Sequence, residues 1–243
     1  MRVTTQRGFT IIETMLFLAV TGLLTIGILV GASTAISAQR YKDAVATLQS
    51  DIQQQYEDTL SVKNGRSGAS TIPACAGNRG QTDCVLMGKL MTISSGGVIV
   101  YYDIYGREPG TLTGSPTEYQ IMQAYNPAVV PSSDRSGAME WGTGIAWPVS
   151  GAEASTAPRD IGILIIRSPE SGTAYTFTRN TTSTANLSSM INGAARGKRT
   201  LCISPAGWVV SDRMTVTIAA GASTAGAIEI RSNQLIPDTE LVC

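Results

Sequence analysis

From Thr14 to Gln39 the chain runs for 26 consecutive residues without a formal charge, most of them Leu, Ile, Val, Ala, Met or Phe. At a rise of about 1.5 Å per residue, a helix of that length exceeds the roughly 30 Å hydrocarbon core of a bilayer. The run therefore predicts one membrane-spanning helix close to the N-terminus. Arg2 and Arg7 precede it and Arg40 and Lys42 follow it, so positive charge alone does not set its orientation. A secretory signal is a poorer fit, because its apolar core usually has about 7–15 residues. Glu13, at the very start of the run, needs its own explanation. An acid in a membrane helix costs about 2.5–3.5 kcal/mol at the bilayer centre, which calls for a cationic partner or an interfacial position.

Composition narrows what the remainder can do. The 243 residues hold 18 Lys and Arg, 18 Asp and Glu, and no histidine. A net charge of zero argues against strong electrostatic capture of nucleic acid or anionic surfaces. Lack of histidine removes Ser-His-Asp and Cys-His nucleophilic systems and His-ligated zinc. No pair of acids takes an assignable general acid and base role, so we assign no catalytic residue, no metal ligand and no cofactor. Asp134, Glu140 and Glu153 lie in a Gly-rich stretch without the alternating oxygen ligands of a calcium loop. They read as solvated loop acids. Trp141 and Trp147, six residues apart, read as a small satellite core.

Beyond Arg40, Tyr41, Val45, Leu48, Ile52, Tyr56 and Leu60 recur every three or four residues and form one helical stripe. Charged and amide residues occupy the other faces, and Asn64-Gly65 supplies a stop. One helix from Phe9 to about Lys63 is expected. Residues 65–243 read as short strands separated by Gly, Ser and Pro. The strands are Val85–Ile93, Val98–Tyr105, Ile161–Ile166, Ala174–Thr178, Thr200–Ser204, Trp208–Val210, Met214–Ile218 and Ala227–Ile230, with Gly96-Gly97 as a hairpin turn. Residues 106–160 read as a long insertion over the sheet. The fold class is α+β: a long N-terminal helix packed on an antiparallel sheet or sandwich.

Arg7-Gly8-Phe9-Thr10-Ile11-Ile12-Glu13, followed by Met15-Leu16-Phe17-Leu18-Ala19-Val20, resembles the prepilin motif of type IV pilins and type II secretion pseudopilins. The resemblance covers about the first 40 residues. It implies that a prepilin peptidase of the cytoplasmic membrane cuts between Gly8 and Phe9 and methylates the new amine. Glu13 then becomes the fifth mature residue, and its carboxylate can pair with the terminal amine of a neighbouring subunit. Residues 1–8 would be leader, 9–39 a membrane and filament-core helix, 40–64 an amphipathic helix and 65–243 an extracytoplasmic β-rich domain. The N-terminus would lie inside and the bulk of the chain outside, later in a surface or periplasmic filament. One departure is Val30, where family members often carry a helix proline. Gly22, Gly27 and Gly31 remain as hinge points or as sites of close helix packing. Leu201-Cys202-Ile203-Ser204-Pro205-Ala206-Gly207-Trp208 is similar to the end of minor pseudopilins of the H type.

The expected partners are the peptidase, other pilin or pseudopilin subunits and the membrane. The rival expectation is an unprocessed, membrane-anchored binding or adhesion domain. Arg196, Lys198 and Arg199 form a tight basic cluster able to contact a few phosphates, but no aromatic residue interleaves with them for base stacking. DNA is the lesser partner expectation. Cys75, Cys84, Cys202 and Cys243 all follow the apolar run, and an even number outside the cytoplasm favours disulfides. Of three pairings, Cys75 with Cys84 and Cys202 with Cys243 are favoured. Their loops give about 2.7 and about 4 kcal/mol on the loop-entropy estimate. A four-cysteine zinc site lacks the close C-x-x-C pairs it needs.

Overall fold

A computed structural model describes residues 10–61, 84–131, 133–148, 157–205, 207 and 212–232. A single helix, α1 (Ile11–Leu60), runs for 50 residues. Thr10 caps its start in an extended conformation, its side chain accepting a hydrogen bond from the Glu13 amide at 3.3 Å. The other end comes at Leu60, where Ser61 turns extended and donates its amide to the Glu57 carbonyl. The stop therefore precedes Asn64-Gly65, which lies outside the described residues.

Strand β1 (Cys84–Ile93) pairs with β2 (Val98–Arg107) through a tight turn, and β6 (Ile161–Arg167) and β7 (Ala174–Arg179) extend the sheet on the other side. All pairings are antiparallel. Gly97 adopts φ +77° in that turn, and a Cβ there would sit 2.6 Å from the Thr143 carbonyl oxygen, so the turn admits only glycine. The free edge of β2 carries two short strands, β3 (Ala128–Val129) and β4 (Arg135–Ala138). A second antiparallel sheet has the order β10-β9-β8-β5, from β5 (Gly144–Ala146), β8 (Arg199–Ser204), β9 (Met214–Ile218) and β10 (Ile228–Ser232).

Two hydrophobic clusters explain the layering. Tyr41, Val45, Leu48, Ile52 and Tyr56 of α1 share one core with Met91, Ile161, Ile163 and Ile165 of the first sheet and Leu201, Val216 and Ile228 of the second. Leu90, Ile104, Leu164, Ile166 and Phe177 face the other way. They pack beneath α2 (Glu118–Ala124) and α3 (Leu187–Met190). β6 is buried at six successive positions because both its faces are covered, which accounts for a run of Ile and Leu interrupted only by Gly162. The helical stripe is buried as its period predicts, apart from Leu60, which is 38% exposed beside the helix end.

The expected α+β arrangement is present: the stripe of α1 packs on two antiparallel sheets and contributes to the core they share. One expectation needs correction. Residues 106–160 are not an insertion over the sheet: they supply β3, β4, β5 and α2, so both sheets depend on them. Strand Trp208–Val210 lies outside the described residues.

Candidate functional site

The candidate site is the first half of α1. Between Ile11 and Ile36 its large apolar side chains are exposed on every side, from 48% at Val20 to 80% at Ile12. None of its most apolar 18-residue stretch is buried, and the helix is long and apolar enough to cross a membrane. A helix that is hydrophobic all round requires an apolar surrounding. Its hydroxyls suit that surrounding, because each bonds back to a carbonyl of the preceding turn. Thr14 donates to Ile11, Thr21 to Phe17, Thr25 to Thr21, Ser33 to Val30, Thr34 to Val30 and Ser37 to Ser33, all between 2.7 and 3.0 Å. No side-chain hydroxyl in that set needs water, which lipid cannot supply. A Cβ built on Gly22, Gly27 or Gly31 meets nothing within 4 Å, so each leaves room for a close neighbour.

Glu13 lies in the first turn of α1, fully on its surface. A carboxylate there interacts favourably with the partial positive charge of the helix start. Gly8 and Phe9 lie outside the described residues.

At Arg40 the surroundings change. Tyr41 is buried, and its hydroxyl donates to the Ile203 carbonyl at 2.9 Å while accepting the Met214 amide at 2.9 Å, tying α1 to β8 and β9. Burial raises the Tyr41 hydroxyl above its ordinary value. Farther along, Gln49 and Gln53 donate to the Ile228 and Ala225 carbonyls. The Tyr56 hydroxyl lies 2.6 Å from Thr176 Oγ1, and burial pushes it up to about 12. Asp51 accepts from the Tyr101 hydroxyl at 3.0 Å, and burial raises its carboxyl, with the Glu140 charge adding to the rise. Lys89 and Asp103 form a cross-strand ion pair on β1 and β2, so the one buried lysine of this sheet is matched. The helix is thus fixed to the domain at several heights.

The basic cluster does not converge on one surface. Arg196 lies across Tyr119 and Tyr175, with its guanidinium carbon 5.9 and 4.8 Å from their ring centres. It donates to the Tyr119 hydroxyl and the Gly221 carbonyl, so it serves as a strut between α2, β7 and the turn before β10. Arg199 donates to Thr178 Oγ1, and Lys198 is exposed between them. Cys84 and Cys202 are both disulfide-bonded. The expected pairs Cys75 with Cys84 and Cys202 with Cys243 each include a residue outside the described set. Asp134 and Glu140 gather no third metal-ligating side chain among the described residues, and Glu153 lies outside them.

The tryptophans do not form the satellite core expected of them. Trp141 and Trp147 are 48% and 38% exposed, and each stacks on a different arginine. Arg40 lies 4.6 Å from the Trp141 ring centre and Arg159 lies 4.3 Å from that of Trp147. Arg159 is buried, donates to the Thr200 carbonyl and to Asn180, and is lowered to about 10 by burial and by the nearby Arg199 charge. The Arg40 contact was missed in the sequence because Trp141 lies a hundred residues away; the signal available was an arginine ending an uncharged run. Comparison with family models, with curated proteins and with solved structures finds no match.

Proposed function

We propose that the chain is a structural subunit, of the minor kind, of a type IV pilus or a type II secretion-like filament. In this reading a prepilin peptidase processes it after Gly8, and it assembles through the first half of α1. The observation that carries the proposal is one continuous helix whose second half is packed into the domain and whose first half is bare on all faces. The Gly8-Phe9-Thr10-Ile11-Ile12-Glu13 string supports it independently. A bare apolar helix held rigidly by a folded domain can exchange a lipid surrounding for one made of identical or related helices. Glu13 supplies a charge whose register with a neighbour's terminal amine can be read during that exchange. The subunit carries out no chemistry of its own.

Glu13→Val tests the assembly step in the native host. Filament incorporation should fall sharply while the protein still accumulates folded in the membrane. Undiminished incorporation would remove the charge-pair mechanism. Gly8→Val should abolish processing; a plain membrane-anchored binding domain, the rival reading, would be indifferent to both changes.

A further inference from the structure

We propose that Arg40 and Trp141 form a seat for the phospholipid headgroup layer, holding the globular domain at a fixed height and tilt on the membrane that α1 crosses. The proposal rests on the membrane-spanning reading of α1 and adds a lipid-contacting site in a part of the chain distant in sequence. Glu13 and Arg40 are the charges that bracket the apolar run. At about 1.5 Å per residue they stand about 40 Å apart along the helix, close to the thickness of a bilayer including its interfacial regions. With Glu13 at one interface, Arg40 stands at the other.

The domain meets Arg40 at that level with a tryptophan in an unusual backbone state. Trp141 has φ +56°, a left-handed conformation that disfavours a bulky side chain, and Gly142 follows at φ +70°. Residues on both sides hold it there. Met139 is buried in the main core and its amide donates to the Gly97 carbonyl at 2.8 Å. Thr143 is 2% exposed, and both its amide and its hydroxyl donate to the Glu140 carbonyl. With its neighbours fixed inward, Trp141 is turned outward onto Arg40 and remains half exposed.

The Arg159 and Trp147 pair shows what a structural version of this contact looks like. There the guanidinium is buried and its two terminal nitrogens donate to a carbonyl and an amide oxygen of the fold. Arg40 is exposed and makes no hydrogen bond or ion pair among the described residues, so its donors stay available to an outside acceptor. A guanidinium stacked on one face keeps those donors for a phosphodiester, and an indole places its apolar body at the ester level with its N–H toward water. Tryptophan is enriched at this depth of the bilayer.

The full chain, with Trp147 and Trp208 replaced by Phe, would be reconstituted into phosphatidylcholine and phosphatidylglycerol vesicles, and Trp141 emission quenched by lipids labelled at the headgroup or at the acyl end. Quenching from the headgroup position should be stronger by about twofold or more, with emission shifted to the blue, as expected of an interfacial indole. Arg40→Gln should weaken that preference. Trp141→Gly, which suits the positive φ, should raise the melting temperature while increasing the rotational freedom of a label on the domain. If the chain floats with the vesicles but headgroup labels leave Trp141 unquenched, the seat is wrong and the spanning reading stands. If the chain does not float with them, both fail.

Discussion

The two halves of α1 share one backbone and differ in what packs against them. From Ile11 to Ile36 apolar residues face every direction and hydroxyls are satisfied within the helix, whereas from Tyr41 onward apolar residues fall on one stripe and polar side chains reach across to the sheets. The difference teaches that one helical period can be written for two solvents. Where protein is the partner, the apolar face narrows to the width of the contact; where lipid or other helices surround the segment, it closes around the axis.

The sharpest break between the halves should come from truncating a core residue. Ile52→Ala should lower the stability of the globular domain by about 2–5 kcal/mol in denaturant titration, because Ile52 is fully buried between the two sheets. Leu23→Ala, the same kind of truncation on the bare half, should shift the same titration by no more than about 0.5 kcal/mol. A comparable loss from both would mean that the bare half packs on the domain after all.

Tyr41→Phe probes the boundary more gently. It leaves the Ile203 carbonyl and the Met214 amide without their partner and should cost about 1–3 kcal/mol, with little change in volume. Equal stability of Tyr41→Phe and the parent would show that water replaces the hydroxyl and that the helix is not tied at this height.

The smallest effect concerns Asp51. Its carboxyl is raised by burial in the folded protein, so the native state holds a proton more tightly than the unfolded chain does. That contribution to stability is present at low pH and is lost as pH rises through the folded value, above the ordinary range near about 4. Asp51→Asn keeps an acceptor for Tyr101 and removes the charge. The variant should therefore melt higher than the parent at neutral pH, and the gap should narrow on acidification. A gap that widens in acid would reverse the assignment.

Much of this architecture was readable because period and burial coincide. The Tyr41, Val45, Leu48, Ile52 and Tyr56 spacing marked the packed face, and Ile-rich runs such as Ile161–Ile166 marked the central strands. Residues 106–160 were opaque for a physical reason. β3 and β4 have two and four residues, and Arg135–Ala138 lacks any β-branched side chain; both exist because β2 offers an edge to pair with. Even there α2 had a signal in Thr117 and Gln120, which form a reciprocal capping box. The packing of Arg196 was opaque for a similar cause, since the rings that hold it come from Tyr119 and Tyr175, distant in sequence. On the bare half, composition marked a helix long and apolar enough to cross a membrane but singled out no one face for a partner.

The filament account stands most directly on how the chain begins in its native membrane. The mass of the N-terminal peptide of protein isolated from that membrane reports processing and methylation together. The account predicts a peptide starting at N-methyl-Phe9. A peptide starting at Met1 would contradict it and leave a permanently anchored domain.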